Sequence, residues 1–394
     1  MDRDYSKLGA EDAPWLTDPS AIAVCDAIGV DGHQVLFVGG CVRNALLGMP
    51  VHDIDIATSA LPEEVIACVK AASLKSVPTG IDHGTVTVVS GGKGYEVTTF
   101  RRDIETNGRH AVVAYSRDIE DDARRRDFTM NALYAMPDGT VIDPLDGLDD
   151  LVRRRVRFIE DAGQRVREDY LRALRFFRFQ AWYGKADAGM DADALAAIAA
   201  HLDGLETLSA ERVGAEMRKL LSAPDPSMAL AAMGQTGVTG TLFPGADARF
   251  VPVMIHSEEA LGLVPNWIGR LVALGGTQMP ERLRLSKADR RTYVAIQSAV
   301  SGGTALLETA FEHDAETAIQ VYLISCAYAE RLADPDMVTR IRDTATRVFP
   351  VTASDLMPRL QGRALGDELA RLKTAWIASE FGMSKADLLA LSQG

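Results

Sequence analysis

The stretch Leu36-Phe-Val-Gly-Gly-Cys-Val-Arg-Asn-Ala-Leu-Leu-Gly-Met-Pro-Val-His-Asp-Ile-Asp-Ile56 decides the fold. Val35 to Val38 reads as a strand, Gly39-Gly40 as a turn and the next residues as a short apolar helix. Val51 to Ala57 reads as a second strand. A strand points residues two apart to one face, so Asp53 and Asp55 are expected side by side. Two such carboxylates can hold two divalent cations about 4 Å apart, the spacing used for in-line phosphoryl transfer. The turn offers backbone N–H groups and a helix N-terminus beside Arg43, a combination suited to an anion. One short stretch therefore offers a phosphate cradle (Gly39, Gly40, Arg43) and a metal-binding pair (Asp53, Asp55).

Outward from it, the first 150 residues mix strands and helices. Thr85–Ser90 and Tyr95–Phe100 are β-branched runs joined by Ser90-Gly-Gly-Lys-Gly94, a hairpin signal. Leu61-Pro-Glu-Glu-Val starts a helix with proline in its first turn. Arg101 to Tyr115, with Asn107-Gly108, reads as a mobile polar loop, and Val141 to Gly147 as a linker. After about residue 150 the strand signals fade. Arg167 to Trp182 reads as one helix. Ser209 is placed to cap another that carries Val213, Met217, Leu220 and Leu221, and Pro224 and Pro226 end it. The expected division is a head over 1–150, a helical neck over 151–222 and a helical body and tail over 223–394.

The bulk numbers fit this division. A chain of 394 residues exceeds the usual single core. Hydrophobic residues make up 47% and charged residues 25%, ordinary for a soluble globular protein. The four cysteines stand at no redox or metal-ligand spacing, which fits a reducing, cytoplasmic setting. No signal peptide and no membrane-spanning run are expected. The net charge of −13 argues against nucleic acid only in total, because 101–126 holds seven arginines and 153–178 nine.

Three further groups carry chemistry. Glu96, a charge within a β-branched strand, is a candidate third carboxylate for the metal pair. Arg124-Arg-Arg-Asp-Phe-Thr-Met-Asn-Ala-Leu133 sets arginines and Asp127 before an apolar helix start. It offers Arg126 to triphosphate oxygens and Asp127 to a ribose hydroxyl, with Asn131 on the same segment. Glu168-Asp-Tyr-Leu-Arg-Ala-Leu-Arg175 is read as helical, so Asp169 and Arg172 share a face, with Arg175 one turn on. Cytosine and adenine each present an amino donor beside a ring-nitrogen acceptor. Asp169 can accept from the first and Arg172 can donate to the second, whereas uracil and guanine present the reverse pattern.

Taken in order, Gly39-Gly40…Arg43-Asn44, Asp53-Ile-Asp55, Gly80-Ile-Asp-His-Gly-Thr85, Glu96-Val-Thr-Thr-Phe-Arg101, Arg125-Arg-Asp-Phe-Thr129 and Glu168-Asp-Tyr-Leu-Arg172 resemble the motifs of class II tRNA nucleotidyltransferases. These are the bacterial and eukaryotic CCA-adding enzymes, with bacterial poly(A) polymerases as close relatives. The likeness covers about residues 30–220. It implies an α+β fold with a small mixed sheet in a nucleotidyltransferase head, then an all-helical neck, body and tail. It also implies tRNA, CTP and ATP as substrates and Mg²⁺ on Asp53 and Asp55. The resemblance further implies phosphate contacts near Gly39, Gly40 and Arg43, ribose contact near Asp127, and base selection by Asp169 and Arg172. Arg101 to Tyr115 resembles the flexible loop linked to the switch from C to A addition. Cys41 and Asn44 depart from the commonest pattern, and neither removes a metal ligand. Thr79-Gly80…His83-Gly84-Thr85 favours CCA addition over poly(A) synthesis. The alternatives are a poly(A) polymerase, a partial enzyme adding only CC or only A, and an inactive RNA-binding protein. His313-Asp314 reads as surface, not as a phosphohydrolase site.

Overall fold

The computed structural model describes residues 4–107, 110–185, 188–357 and 359–392, with the backbone alone at Thr79, Asp82, 103–107 and 110–113. The chain divides into two compact units, Met1–Leu220 with Met228–Leu242, and Leu221–Ser227 with Phe243–Gly394.

The first unit opens with α1 (Pro19–Gly29), β1 (Val35–Val38), α2 (Gly40–Leu47), β2 (Asp55–Thr58) and α3 (Pro62–Ala71). It continues with β3 (Lys75–Gly80), β4 (Thr85–Ser90), β5 (Lys93–Thr99), β6 (Arg101–Asn107), β7 (His110–Tyr115) and α4 (Ile119–Arg124). Next come β8 (Tyr134–Ala135), β9 (Val141–Ile142) and α5 (Gly147–Val152). Seven strands form one sheet in the order β3-β4-β5-β2-β1-β8-β9. Every pairing is antiparallel except β2 with β5, so the sheet is mixed.

Strand alternation gives the sheet two different faces. Val86, Val88, Tyr95 and Val97 are buried on the face covered by α1 and α3. Thr85, Thr87, Glu96 and Thr98 alternate with them and point to the other face. Further along that second face, Leu36, Val38 and Ala57 pack with Phe100, Ala123, Ala132 and Tyr134. The sheet is thus polar and open at β4–β5 and closed by an apolar cluster toward β1. The β4–β5 hairpin turns at Gly91 and Gly92, both at positive φ. A Cβ on Gly91 would stand 2.1 Å from Ser20 Oγ on α1, so glycine is required there twice over.

Two expectations are corrected. Arg101 to Tyr115 is not a loop but the antiparallel pair β6–β7, separate from the main sheet, with Gly108 outside the described residues. Its Val112 and Val113 are strand formers that the polar flanks obscured. Val141 to Gly147 is not a linker. Val141 and Ile142 pair with β8 as the sheet's last strand, and Asp143 accepts from the N–H groups of Gly147 and Leu148 to start α5.

The unit continues with α6 (Ala162–Glu168), α7 (Leu171–Tyr183), α8 (Ala192–Ala199) and α9 (Ala210–Leu221). Phe176 and Phe179 of α7 pack against Phe128, with Phe158 beside them, so the helix is anchored to the sheet-bearing part through rings. α9 buries Val213, Met217, Leu220 and Leu221, the expected stripe.

The second unit is helical, including Val251–Ala260, Trp267–Leu274, Lys287–Gly302, Ala315–Tyr328 and Gly362–Ala378. Its buried Arg270 pairs with Glu258 at 2.6 Å and donates to the carbonyls of Leu221, Ala223 and Pro224. A second apolar cluster joins Leu356, Leu372, Trp376, Phe381 and Leu388 near the C-terminus. His313 is exposed and Asp314 caps Ala315–Tyr328, as a surface reading expects.

Candidate active site

Asp55 opens β2 and stands in register with Glu96 across the parallel β2–β5 pair. Neighbouring strands lie about 4.8 Å apart, so register partners present their side chains to the same face. The strand begins at Asp55, not Val51, and Asp53 precedes it. The reason lies in β1, the antiparallel neighbour. It turns away at Gly39, at φ +70°, so residues before Asp55 have no strand to pair with on that side. Asp53 is therefore exposed, while Asp55 is half-buried.

Asp53, Asp55 and Glu96 make no hydrogen bond or ion pair through their carboxylates among the described residues. Burial, reinforced by the charges of Glu96 and Asp53, raises the Asp55 carboxyl above its ordinary value, and Arg126 acts the other way. Ligand atoms of the three carboxylates do not all lie within 4.8 Å of one another. Asp55 on the open face of the sheet, with the charges of Glu96 and Asp53 acting on it, nevertheless offers hard oxygen of the kind divalent cations take.

The Gly39-Gly40 turn leads directly into α2. The Gly39 N–H donates to the Leu133 carbonyl at 3.1 Å. The cradle is therefore left to the opening N–H groups of α2, which have no acceptor within the helix. A Cβ on Gly39 would sit 3.3 Å from Arg126 Nη1, so the glycine lets that guanidinium lie against the turn. Arg43 is placed differently from the expected phosphate contact. It is buried, and its guanidinium donates to Asn131, Asn44 and the Tyr183 hydroxyl. It lies 4.1 Å from the Tyr183 ring centroid, and burial lowers its pKa. In this geometry it ties α2 to α7.

Arg126, Asp127 and Asn131 follow α4 and meet a single 3₁₀ turn, Thr129–Asn131, not the start of a longer helix. Arg126 pairs with the buried Asp122 at 2.8 Å and reaches the Tyr134 hydroxyl at 3.2 Å. Asp127 accepts from the Phe128 N–H and the Asn131 amide on one oxygen and from Arg175 Nε and Nη2 on the other. Those four donors fill its acceptor capacity. Burial alone would raise its pKa, but Arg175, Asn131 and Arg172 outweigh it and hold the carboxyl at about 2. Glu216 of α9 completes the network, 2.5 Å from Arg178 Nε and 3.9 Å from Arg175.

Asp169 and Arg172 do not share a helix. α6 ends at Glu168, Asp169 is extended, and α7 begins at Leu171. Asp169 instead starts α7, accepting from the Leu171 N–H at 3.1 Å. Aspartate competes with helical backbone in this way, which explains the break. Its other oxygen is held by Arg212 at 2.6 Å. Arg172 binds Glu168 at 2.6 Å and the carbonyls of Arg165 and Arg125. Each side chain is fixed by neighbours, and neither holds the other.

Sequence reasoning passed over Asp122, Glu168, Tyr183, Arg212 and Glu216. Glu216 carried a signal, since it falls within the apolar stripe Val213, Met217 and Leu220, and a carboxylate there needs a buried cation. Arg212 precedes it by one turn and lies on the same side.

The family model described as "Poly A polymerase head domain" matches residues 35–157, and the one described as "Probable RNA and SrmB- binding site of polymerase A" matches 189–250. The chain is 30% identical over 382 residues to CCA tRNA nucleotidyltransferase 1, mitochondrial, of Danio rerio, covering 91% of this chain and 87% of that protein. It is 43% identical over 227 residues to the CCA-adding enzyme of Geobacillus stearothermophilus, covering 57% of this chain and 54% of that one. Its fold is similar to the crystal structure of the Bacillus stearothermophilus CCA-adding enzyme in complex with CTP. The TM-score is 0.70 at 28% identity, over 96% of this chain and 98% of that one. A carboxylate pair in parallel register, a glycine turn at a helix start and this full-length likeness coincide, and the chain belongs to the CCA-adding tRNA nucleotidyltransferase family.

Proposed function

We propose that this protein adds C, C and A to tRNA 3′ ends from CTP and ATP without a nucleic-acid template. The observation that carries the reading is Asp55 in register with Glu96 on the open face of the sheet, unpaired among the described residues and beside Asp53. In each step the RNA 3′ oxygen bonds to the α-phosphorus, the bond to pyrophosphate breaks, and the hydroxyl proton leaves. Mg²⁺ held by Asp53 and Asp55, with Glu96 adjoining, would supply Lewis-acid stabilisation of the charge that develops.

The chain's own residues do the rest. The α2 N-terminus and Arg126 offer donors to phosphate oxygens. Asp127 orients Arg175 and Asn131, and a ribose hydroxyl reaches it only by displacing one of its present donors. Asp169 and Arg172 select the base, with Arg212 and Glu168 fixing their positions. The helices from 151 onward, with arginines concentrated in 153–178, suit RNA recognised by shape and phosphates. No described helix is long and apolar enough to cross a membrane, and four free cysteines fit a cytoplasmic location.

The test is single-turnover incorporation of each of the four ribonucleotides on tRNA lacking its CCA end. CTP and then ATP are accepted and UTP and GTP rejected. Equal use of all four would overturn the reading.

A further inference from the structure

A second group of metal-ligating side chains lies on the α1–α3 side of the head sheet, away from Asp55 and Glu96. Asp31 and His33 flank Gly32, whose φ of +78° makes the turn between α1 and β1. Glu64 and Cys68 are four residues apart on α3 and so lie on one face of it. Cys68 Sγ stands 3.5 Å from Asp31 Oδ2, and His33 Nε2 stands 3.9 Å from Glu64 Oε2. Ligand atoms of Asp31, His33 and Cys68 lie within 4.8 Å of one another, and no other such trio occurs among the described residues.

The distances discriminate. Sulfur, nitrogen and oxygen donors sit about 2.0–2.3 Å from a tetrahedral zinc ion, which puts them about 3.3–3.7 Å from each other. The 3.5 Å and 3.9 Å separations fall at or just above that range without any ion in place. Calcium and magnesium prefer all-oxygen shells, so a thiol and an imidazole favour a borderline-soft ion. The Cys68 thiol donates to Asp31 Oδ2. The cysteine is almost buried and Asp31 is exposed, which leaves an entry path from solvent. Glu64 Oε2, the oxygen near His33, already accepts from the Leu61 N–H at 2.7 Å and Oε1 meets Arg117 at 3.4 Å, so Glu64 completes the site only by sharing that capping oxygen with the metal.

We propose that Asp31, His33 and Cys68, with Glu64 as fourth donor, form a zinc site that ties the α1–β1 turn to α3. Binding replaces the thiol proton with the metal, releasing one proton per ion. The site is independent of the catalytic carboxylates and stabilises the head.

The test uses full-length protein titrated with Co²⁺ and then Zn²⁺. One equivalent of Co²⁺ should give tetrahedral d–d bands with a thiolate-to-cobalt charge-transfer band, bleached by Zn²⁺. Both features should be lost in Cys68→Ser and in His33→Ala, and kept in Asp53→Ala. Zn²⁺ should raise the melting temperature of wild type, increasingly with free metal, and leave Cys68→Ser unmoved. A purely octahedral cobalt spectrum, or a charge-transfer band that survives Cys68→Ser, would overturn the proposal. So would an equal Zn²⁺ stabilisation of wild type and Cys68→Ser.

Discussion

Asp127→Asn keeps the shape of a buried side chain and removes its charge, so it isolates what the carboxylate contributes. The wild-type group is 7% exposed and holds Arg175 through both Nε and Nη2. Its pKa falls from the ordinary 3.8 to about 2. That difference corresponds to stability on the order of 2 kcal/mol at neutral pH. Because the folded value lies below the unfolded one, the contribution is complete above about pH 4. It is lost as the pH falls toward 2. The variant also leaves Arg175 with Glu216 at 3.9 Å and the charge of Asp169, near Arg43 and Arg178. The expected loss is therefore about 2–4 kcal/mol, within the range for breaking a buried pair. Urea unfolding followed by fluorescence checks it. Trp267→Phe and Trp376→Phe in the background confine the signal to the first unit, whose tryptophans are Trp15 and Trp182. A double-mutant cycle with Arg175→Gln should give a coupling of about 2 kcal/mol. Additivity within about 0.5 kcal/mol would refute the claim that the two side chains act as one unit.

Asp53→Ala or Asp55→Ala should reduce nucleotide transfer about a thousandfold with tRNA binding retained, because each removes a proposed metal ligand. Glu96→Gln should cut the rate less and shift the Mg²⁺ dependence upward, and a wild-type rate at every Mg²⁺ concentration would return Glu96 to a solvated strand position. Asp169→Ala and Arg172→Ala should misincorporate UTP or GTP relatively more often, because unpaired polar groups no longer penalise the wrong base. Arg212→Met should share that defect through the released Asp169 carboxylate, and full C and A selectivity in all three would make the segment merely structural.

The sheet was legible where alternation and turn chemistry agree. Val35–Val38 and the Gly91-Gly92 hairpin needed no tertiary information. The short strands β8 and β9 were not legible, since two-residue strands carry no period and exist only because β1 offers an edge. The Asp53-Ile-Asp55 motif was legible as a motif, but strand length was not, because it depends on where the neighbouring β1 turns away. The break between Glu168 and Leu171 was hidden for a different reason. Glu168, Leu171 and Arg172 are good helix formers, and the acceptance by Asp169 of the Leu171 N–H ends one helix and begins the next. The arginine-rich segments read as phosphate-binding, and the structure pairs most of their arginines with the protein's own carboxylates. Which arginines stay paired inside the protein depends on Asp122, Asp127 and Glu216, which meet them only in three dimensions.

The central claim is that one nucleotide pocket on this head completes a three-residue tRNA end and then stops. The direct measurement is product length at single-nucleotide resolution, using wild-type protein, Mg²⁺ and tRNA ending at its discriminator base. With CTP alone two nucleotides should be added. With CTP and ATP three should be added and no more. A lengthening adenosine ladder, above all on unstructured RNA, would contradict it in favour of a poly(A) polymerase. A product that never passes CC, or that gains only A, would restrict the protein to partial addition.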